Sequence, residues 1–176
     1  MKILRMRRGN DRRGARAEGA ADPSGLARDA RGAVYVEFLA VFFPIFTLFL
    51  SLVQFAFLQT ASIVVQQSAM KAVRVAAVVI HDNPAYYGVD QGSVSGKRKE
   101  MILDAARFPL TPLGGASSAT VTLNSSYGRD DMIDLTVSYQ YTCRVPLGRF
   151  VVCGVDGQKV LAAKASFLNQ GADFIY

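Results

Sequence analysis

One carboxylate, Glu37, stands at the start of a long uncharged stretch and is the most unusual residue of this chain. The 33 residues from Phe38 to Met70 contain no Asp, Glu, Lys or Arg. A carboxylate at the edge of an apolar segment is costly in lipid and is normally compensated by a partner. Gly32 lies five residues before it, at the end of a basic segment. We therefore expect Glu37 to serve a functional contact at this junction.

The rest of the chain offers little for catalysis. The only histidine, His81, stands beside Asp82 where a long helix is expected to end. That place is typical of a helix-terminal or surface residue rather than a general base. The sequence contains no phosphate-binding glycine loop, nucleophile elbow, HExxH or CxxC motif. We predict no catalytic residue and no cofactor, and we do not expect an enzyme.

Metal binding is not expected either. An acidic cluster beside a turn comprises Asp130, Asp131 and Asp134, and carboxylates on a turn suit calcium. The cluster lacks a recognisable calcium-loop pattern, so a solvated turn explains it better. Two cysteines ten positions apart and a single histidine also make a poor ligand set for zinc.

The two cysteines, Cys143 and Cys153, bracket the short segment CRVPLGRFVVC. In a cytosolic protein they would be two unrelated buried thiols. After a basic leader and a membrane span, however, they lie in a compartment where disulfides form and persist. We predict a disulfide, which would stabilise the fold by about 3 kcal/mol on the chain-entropy estimate.

The elements that position these residues begin with a basic leader. The chain has a net charge of +6, and residues 1–32, with nine Lys/Arg and four Asp/Glu, carry +5 of it. Basic residues beside an apolar span hold that flank in the cytoplasm. This explanation is favoured over a nucleic-acid-binding tail, so nucleic acid is not an expected partner. The leader has no sustained periodicity and is expected to be disordered.

A long helix is predicted after the leader. Residues 38–58 are apolar and long enough to cross a hydrocarbon core of about 30 Å, so membrane lipid is an expected partner. Pro44 removes a backbone hydrogen bond there and is predicted to kink the helix. The pattern over residues 60–80 becomes amphipathic. One continuous helix of about 70 Å is predicted, and two helices broken near Gln59–Ser62 are the alternative.

The amphipathic part has two distinct faces. The expected apolar face comprises Val65, Ala69, Val73, Ala76 and Ile80, and the polar stripe comprises Gln67, Lys71 and Arg74. The sequence Asp-Asn-Pro at residues 82–84 supplies a stop signal. We therefore divide the chain into a leader (1–32), a long helix (33–82) with a transmembrane half (33–58), and a domain (83–176).

The C-terminal domain is predicted to be a small α+β unit. A helix is expected over Lys97–Phe108, with Met101, Ile102, Ala105 and Phe108 on one side. Strands are expected over Ala119–Asn124, over residues 133–142, where apolar and polar residues alternate, and over Val160–Leu168. Short connections favour an antiparallel meander. The predicted fold class is α+β: a long N-terminal helix, then one helix and a sheet of about three antiparallel strands, which is pilin-like.

The N-terminal region resembles the TadE-like family, the minor pseudopilins of Tad-type (tight adherence, type IVc) pilus systems. The matching residues are Arg31, Gly32, Ala33, Val36, Glu37, Phe38, Pro44, Gln54, Phe55 and Arg74. The resemblance covers residues 31–82, and the strand LTVSYQYT is similar to the family only in style. The leader is long for this class, and Met6 is an alternative start.

The resemblance implies a processed structural subunit. A prepilin peptidase would cut between Gly32 and Ala33 on the cytoplasmic face, because glycine permits close approach of the backbone. The new amine of Ala33 would pair with Glu37 of the same or a neighbouring subunit, and Phe38 would join this assembly contact. Other pilin subunits and the inner-membrane assembly platform are the implied partners. The protein would start as a single-pass inner-membrane protein with a periplasmic domain and end in a pilus on the cell surface.

Other functions remain open at this point. The chain can be an uncleaved membrane-anchored protein with a periplasmic binding or adhesin domain. It can also be a secreted protein whose residues 1–61 form a signal peptide, although no A-x-A site follows the apolar run. An exported enzyme would lack its catalytic residues. The family resemblance favours a minor pseudopilin that primes, caps or modulates pilus assembly.

Overall fold

The structure, a computed structural model, describes residues 30–114 and 116–170. The leader up to residue 29, with its predicted disorder, lies outside the described residues. Contacts within the chain define two compact units, one ending at Phe43 and the other beginning at Pro44. The second unit therefore includes most of the long helix as well as the C-terminal domain. The predicted domain limits at residues 32 and 82 stay predictions.

The first element is the 50-residue helix α1, Ala30–Val79. It is unbroken at residues 59–62, so the prediction of one continuous helix is confirmed and the two-helix alternative is wrong. Pro44 lies inside α1, and the predicted kink at this residue stays a prediction. Among the described residues, α1 is the one helix whose length and composition suit a membrane crossing, over Val34–Val79.

The surface of α1 changes character along its length. Apolar side chains from Val34 to Phe49 are largely exposed, whereas the predicted apolar face of the amphipathic part is buried. The three residues of the predicted polar stripe are exposed. Alanines on the buried face leave room for other elements to approach closely. The amphipathic prediction for residues 60–80 is therefore confirmed.

Three strands form one sheet in the order β1-β2-β3, with both pairs antiparallel. They are β1 (Ala119–Thr122), β2 (Met132–Thr142) and β3 (Gln158–Leu168). In the central strand the odd-numbered residues from Ile133 to Tyr141 are buried. This alternation gives the sheet one face for the core and one for solvent. The predicted meander and the α+β fold are confirmed.

Three shorter helices connect these elements: α2 (Pro84–Tyr87), α3 (Gly96–Arg107) and α4 (Gly148–Val152). Two 3₁₀ segments, Phe108–Leu113 and Ala116–Ser118, lead into β1. Residues of α1, α3 and all three strands share one buried apolar cluster. The sheet and the second half of α1 are thus stabilised by a common core.

The helix predicted at residues 97–108 exists, and of the four residues predicted to share one of its sides only Ile102 is buried. The structure buries Arg98, Ile102 and Ala106, whereas Met101 and Phe108 are exposed. The Arg98 guanidinium donates to the backbone carbonyls of Asp82, at 2.8 Å, and Asp90. These bonds offset the cost of burying its charge and set the rotation of α3.

Candidate functional site

The predicted processing site lies in the first turns of α1. Gly32 is exposed and helical, and a Cβ atom added to it would meet nothing within 4 Å. Ala33 is also helical, and its side chain lies outside what the structure describes. Glycine in a helix costs about 0.5–1 kcal/mol relative to alanine. The local fold therefore gives no reason for glycine at position 32.

The predicted assembly residues follow one turn later. Glu37 and Phe38 are both exposed, and the ring of Phe38 stacks on that of Phe42 with centroids 5.3 Å apart. No hydrogen bond or ion pair to Glu37 is found within the part of the chain that the structure describes. The carboxylate emerges between exposed apolar side chains, where it can receive a cation from another group. The pairing of Glu37 with the Ala33 amine stays a prediction.

The predicted disulfide between Cys143 and Cys153 is present. Their Cα atoms are 6.6 Å apart, and the bond closes a segment that carries α4. We call residues 143–155 the disulfide loop, since the two residues after Cys153 continue its surface. The loop joins β2 to β3 at one end of the sheet, where Thr142 pairs with Gln158.

The disulfide loop packs directly on α1. The backbone N–H of Val145 donates to Oε1 of Gln54 at 2.9 Å, and Gln54 is fully buried. A Cβ atom on Gly148 would lie 2.5 Å from the carbonyl oxygen of Leu50. Leu147, with φ 61°, forms a γ-turn in which the N–H of Gly148 donates to Pro146 O at 2.6 Å. This turn brings the loop backbone against the helix.

The sequence did not reveal this role of Gln54. In the sequence, Gln54 is notable only as one of the residues shared with the TadE-like pattern. A usable signal was present, because an amide inside an apolar segment is expensive unless it finds a hydrogen-bond partner. That partner is 91 residues away in the chain, so local pattern cannot identify it.

His81 lies just after the end of α1, as predicted, but it is buried rather than at the surface. Its Nδ1 accepts a hydrogen bond of 2.8 Å from Nδ2 of Asn169, and the same amide nitrogen lies 2.6 Å from Gly128 O. The imidazole therefore ties the end of α1 to the end of β3 and to a turn. This geometry assigns His81 a structural role.

Two of the three acidic residues near the turn have partners of their own. Asp131 accepts from the N–H of Gly128 at 2.6 Å. Asp134 accepts from Ser166 Oγ and forms an ion pair of 3.3 Å with Lys164. The bond from Ser166, followed by that from Lys164, lowers the pKa of Asp134. No group of three His, Cys, Asp or Glu able to hold a metal is found among the described residues.

A second polar cluster surrounds Arg98. Its guanidinium lies 4.9 Å from the centre of the Tyr87 ring, and Tyr87 donates to Asp82 at 3.0 Å. Burial lowers the pKa of Arg98 and, together with the Asp82 carboxylate, raises the pKa of Tyr87. The cluster holds α2 and α3 against the end of α1. Apart from the buried Nε of Arg98, which has no hydrogen-bond partner among the described residues, these groups bond to one another or to backbone carbonyls, so the cluster is a structural feature.

Comparisons of the chain with protein-family models, with curated proteins and with solved structures found no match. The resemblance to TadE-like proteins therefore rests on the residues between Arg31 and Arg74 and remains a hypothesis. The candidate functional residues are those of the junction from Gly32 to Phe38.

Proposed function

We propose that this chain is a minor pseudopilin, a structural subunit that primes, caps or modulates a Tad-type pilus after cleavage between Gly32 and Ala33. The observation that carries the proposal is the glycine at position 32. Gly32 lies within α1, and a Cβ atom added to it would meet nothing within 4 Å. Since the fold has no use for glycine here, an outside requirement explains it, and close approach by a peptidase is such a requirement.

Glu37 supports the same function. Its carboxylate lies on an exposed apolar surface, and burial in lipid or between helices would leave it uncompensated. Cleavage creates a cation at Ala33, one helical turn away, which compensates this charge in the same subunit or in a neighbour. Such a pair would set the register between subunits. The protein itself would then need no chemistry of its own.

The surface of α1 suits a helix that first lies in lipid and then packs against other subunits. The exposed apolar residues from Val34 to Phe49 are suited to the bilayer of the inner membrane. Beyond this span, Ile63 and Met70 are also exposed and line a shallow depression on the helix. The α+β domain would lie on the periplasmic side and later face outward from the pilus.

The N-terminal residue of the mature protein, isolated from membranes of its own host, tests this function. The proposal requires Ala33. An intact leader would instead support an uncleaved single-pass protein with a periplasmic binding or adhesin domain. A start near Ser62 would support secretion.

A matched pair of variants sharpens the test. Gly32→Leu is expected to keep the full-length leader, because a large side chain blocks approach to the scissile bond. Ala40→Leu, also an exposed position in α1, is expected to be processed normally. Processing of Gly32→Leu at the wild-type rate would contradict the proposal.

A further inference from the structure

We propose that the disulfide loop, residues 143–155, inserts its apolar side chains into the interface of the phospholipid bilayer on the side where the domain lies. The loop would act as a second membrane contact that fixes the domain against the lipid surface. This inference rests on the transmembrane part of the proposed function, but it requires neither leader cleavage nor pilus assembly.

The disulfide loop contacts α1 within the predicted membrane span. The predicted span, residues 38–58, covers about 30 Å, the thickness of a hydrocarbon core. The loop contacts the helix at Leu50 and Gln54. It therefore reaches α1 in the second half of the span, on the side that carries the domain, which places the loop within reach of the interface of that leaflet.

The disulfide loop exposes three large apolar side chains. Phe150 is 52% exposed, Val151 is 65% exposed and Val155 is 90% exposed. Contiguous apolar side chains of this kind mark contact sites with proteins or membranes. Since the loop that carries these residues packs on α1 at Leu50 and Gln54, the bilayer around α1 is the nearest apolar phase available to them.

The charged side chains of the disulfide loop are basic. The loop contains Arg144 and Arg149, both exposed, and the exposed Asp156 follows it directly, so residues 143–156 carry a net charge of +1. The Arg149 guanidinium lies 4.6 Å from the centre of the Phe150 ring. An aromatic ring paired with a cation suits the interface, where the ring lies at headgroup level and the cation binds lipid phosphate. The loop thus complements an anionic lipid surface.

The loop is also constrained in a way that prevents it from withdrawing. The disulfide closes it, and the Gln54 hydrogen bond and the close approach of Gly148 to Leu50 hold it on the helix. A constrained loop has less conformational entropy to lose when it inserts.

Single-tryptophan variants of the full chain, reconstituted in vesicles of phosphatidylcholine and phosphatidylglycerol, test the inference. The chain contains no tryptophan, so each variant reports one position. Phe150→Trp probes the loop, Phe46→Trp probes the span, and Tyr86→Trp, 68% exposed at the far end of α1, is the aqueous control. Brominated lipids and acrylamide serve as the quenchers from the lipid and the water side.

We expect Phe150→Trp to be quenched by lipids brominated near the headgroup and to be at least threefold less sensitive to acrylamide than Tyr86→Trp. Phe46→Trp should be quenched by lipids brominated deep in the chains. Val151→Trp gives a second reading of the loop in the event that Phe150→Trp fails to reconstitute.

Phe46→Trp tests the transmembrane assignment of α1, whereas Phe150→Trp and Val151→Trp test the insertion of the loop. If Phe46→Trp is quenched by lipid while Phe150→Trp and Val151→Trp behave like the aqueous control, the loop does not insert and the inference is wrong. If Phe46→Trp also escapes lipid quenching, the transmembrane assignment itself is wrong. Acrylamide protection of the loop that disappears as the protein is diluted in lipid would show that a second copy covers it, and would equally overturn the inference.

Discussion

Under the proposed function, Glu37 provides an assembly contact and catalyses nothing. Its carboxylate lies on an apolar helical surface, so its pairing with a cation would decide how well that surface packs between other helices. We expect Glu37→Ala to leave cleavage at Ala33 largely intact, because the scissile bond lies one turn away. Pilus number per cell, counted by electron microscopy, is expected to fall at least tenfold.

Glu100→Ala is the matched control, since Glu100 is an exposed glutamate on α3 of the C-terminal domain. It should leave both processing and piliation unchanged. Normal piliation of the Glu37→Ala variant would count against the charge pairing, even if cleavage at Ala33 is confirmed.

Asp134 provides a pH-dependent contribution to stability. Its pKa is lowered from the usual 3.8 by the bonds from Ser166 and Lys164. A carboxylate whose pKa is lower in the folded state stabilises the fold above its unfolded pKa, and this stabilisation is lost as the pH falls through the folded pKa. We expect Asp134→Asn to be less stable than the wild type at pH 7, with the difference shrinking as the pH falls below 3.8 and vanishing only below the lower pKa of the folded state.

The measurement is the free energy of unfolding of the detergent-solubilised chain at pH 7 and in the acid range. Asp130→Asn, in the same turn region, is the control and should change this free energy little at pH 7. A difference between wild type and Asp134→Asn that grows toward low pH would have the wrong sign and would contradict the assignment.

At the scale of elements, the contact between the disulfide loop and α1 depends on the absence of one side chain. A Cβ atom at Gly148 would lie 2.5 Å from Leu50 O, a helix backbone atom that cannot move aside. We expect Gly148→Ala to destabilise the protein by about 1–3 kcal/mol, the usual cost of overpacking. Thermal unfolding in detergent measures the change.

Gly128→Ala is the control for this substitution. The atoms nearest to its added Cβ belong to the exposed Asp131 carboxylate, 3.0 Å away, which can shift at the expense of its hydrogen bond from the Gly128 N–H. Its loss of stability should therefore be clearly smaller. Equal effects at the two glycines would show that the loop does not pack on α1 as described.

At the scale of the whole molecule, the second half of α1 and the sheet depend on one core. Leu135 in β2 and Val73 in α1 are both fully buried members of the same apolar cluster. We expect Leu135→Ala to cost about 2–5 kcal/mol, because it removes a large buried side chain and leaves a cavity. Hydrogen exchange of detergent-solubilised protein should show loss of protection in β2 and in residues 69–80 of α1 together.

Leu168→Ala is the matched control, since Leu168 is an exposed leucine in β3. It should change the exchange rates little. If Leu135→Ala exposes β2 but leaves residues 69–80 fully protected, the helix is stable without the sheet and the core is not cooperative.

The sequence by itself determined the elements of this protein. The uncharged run and the Ala/Val face of residues 65–80 predict α1, and the alternation from Ile133 to Tyr141 predicts the central strand. Both signals are local, because the period of the apolar residues follows directly from backbone geometry. The disulfide was also predictable, since its two cysteines are close in sequence and follow a helix long and apolar enough to cross a membrane.

Only the tertiary structure decided which polar residues are buried and which surfaces meet. Gln54 bonds to Val145 and His81 to Asn169, 91 and 88 residues away. The inner face of α3 follows from the bonds of Arg98 to carbonyls outside that helix. A buried polar group is stable only when a partner is in place. Those partners come from distant parts of the chain, so their pairing exists only once the fold has brought them together.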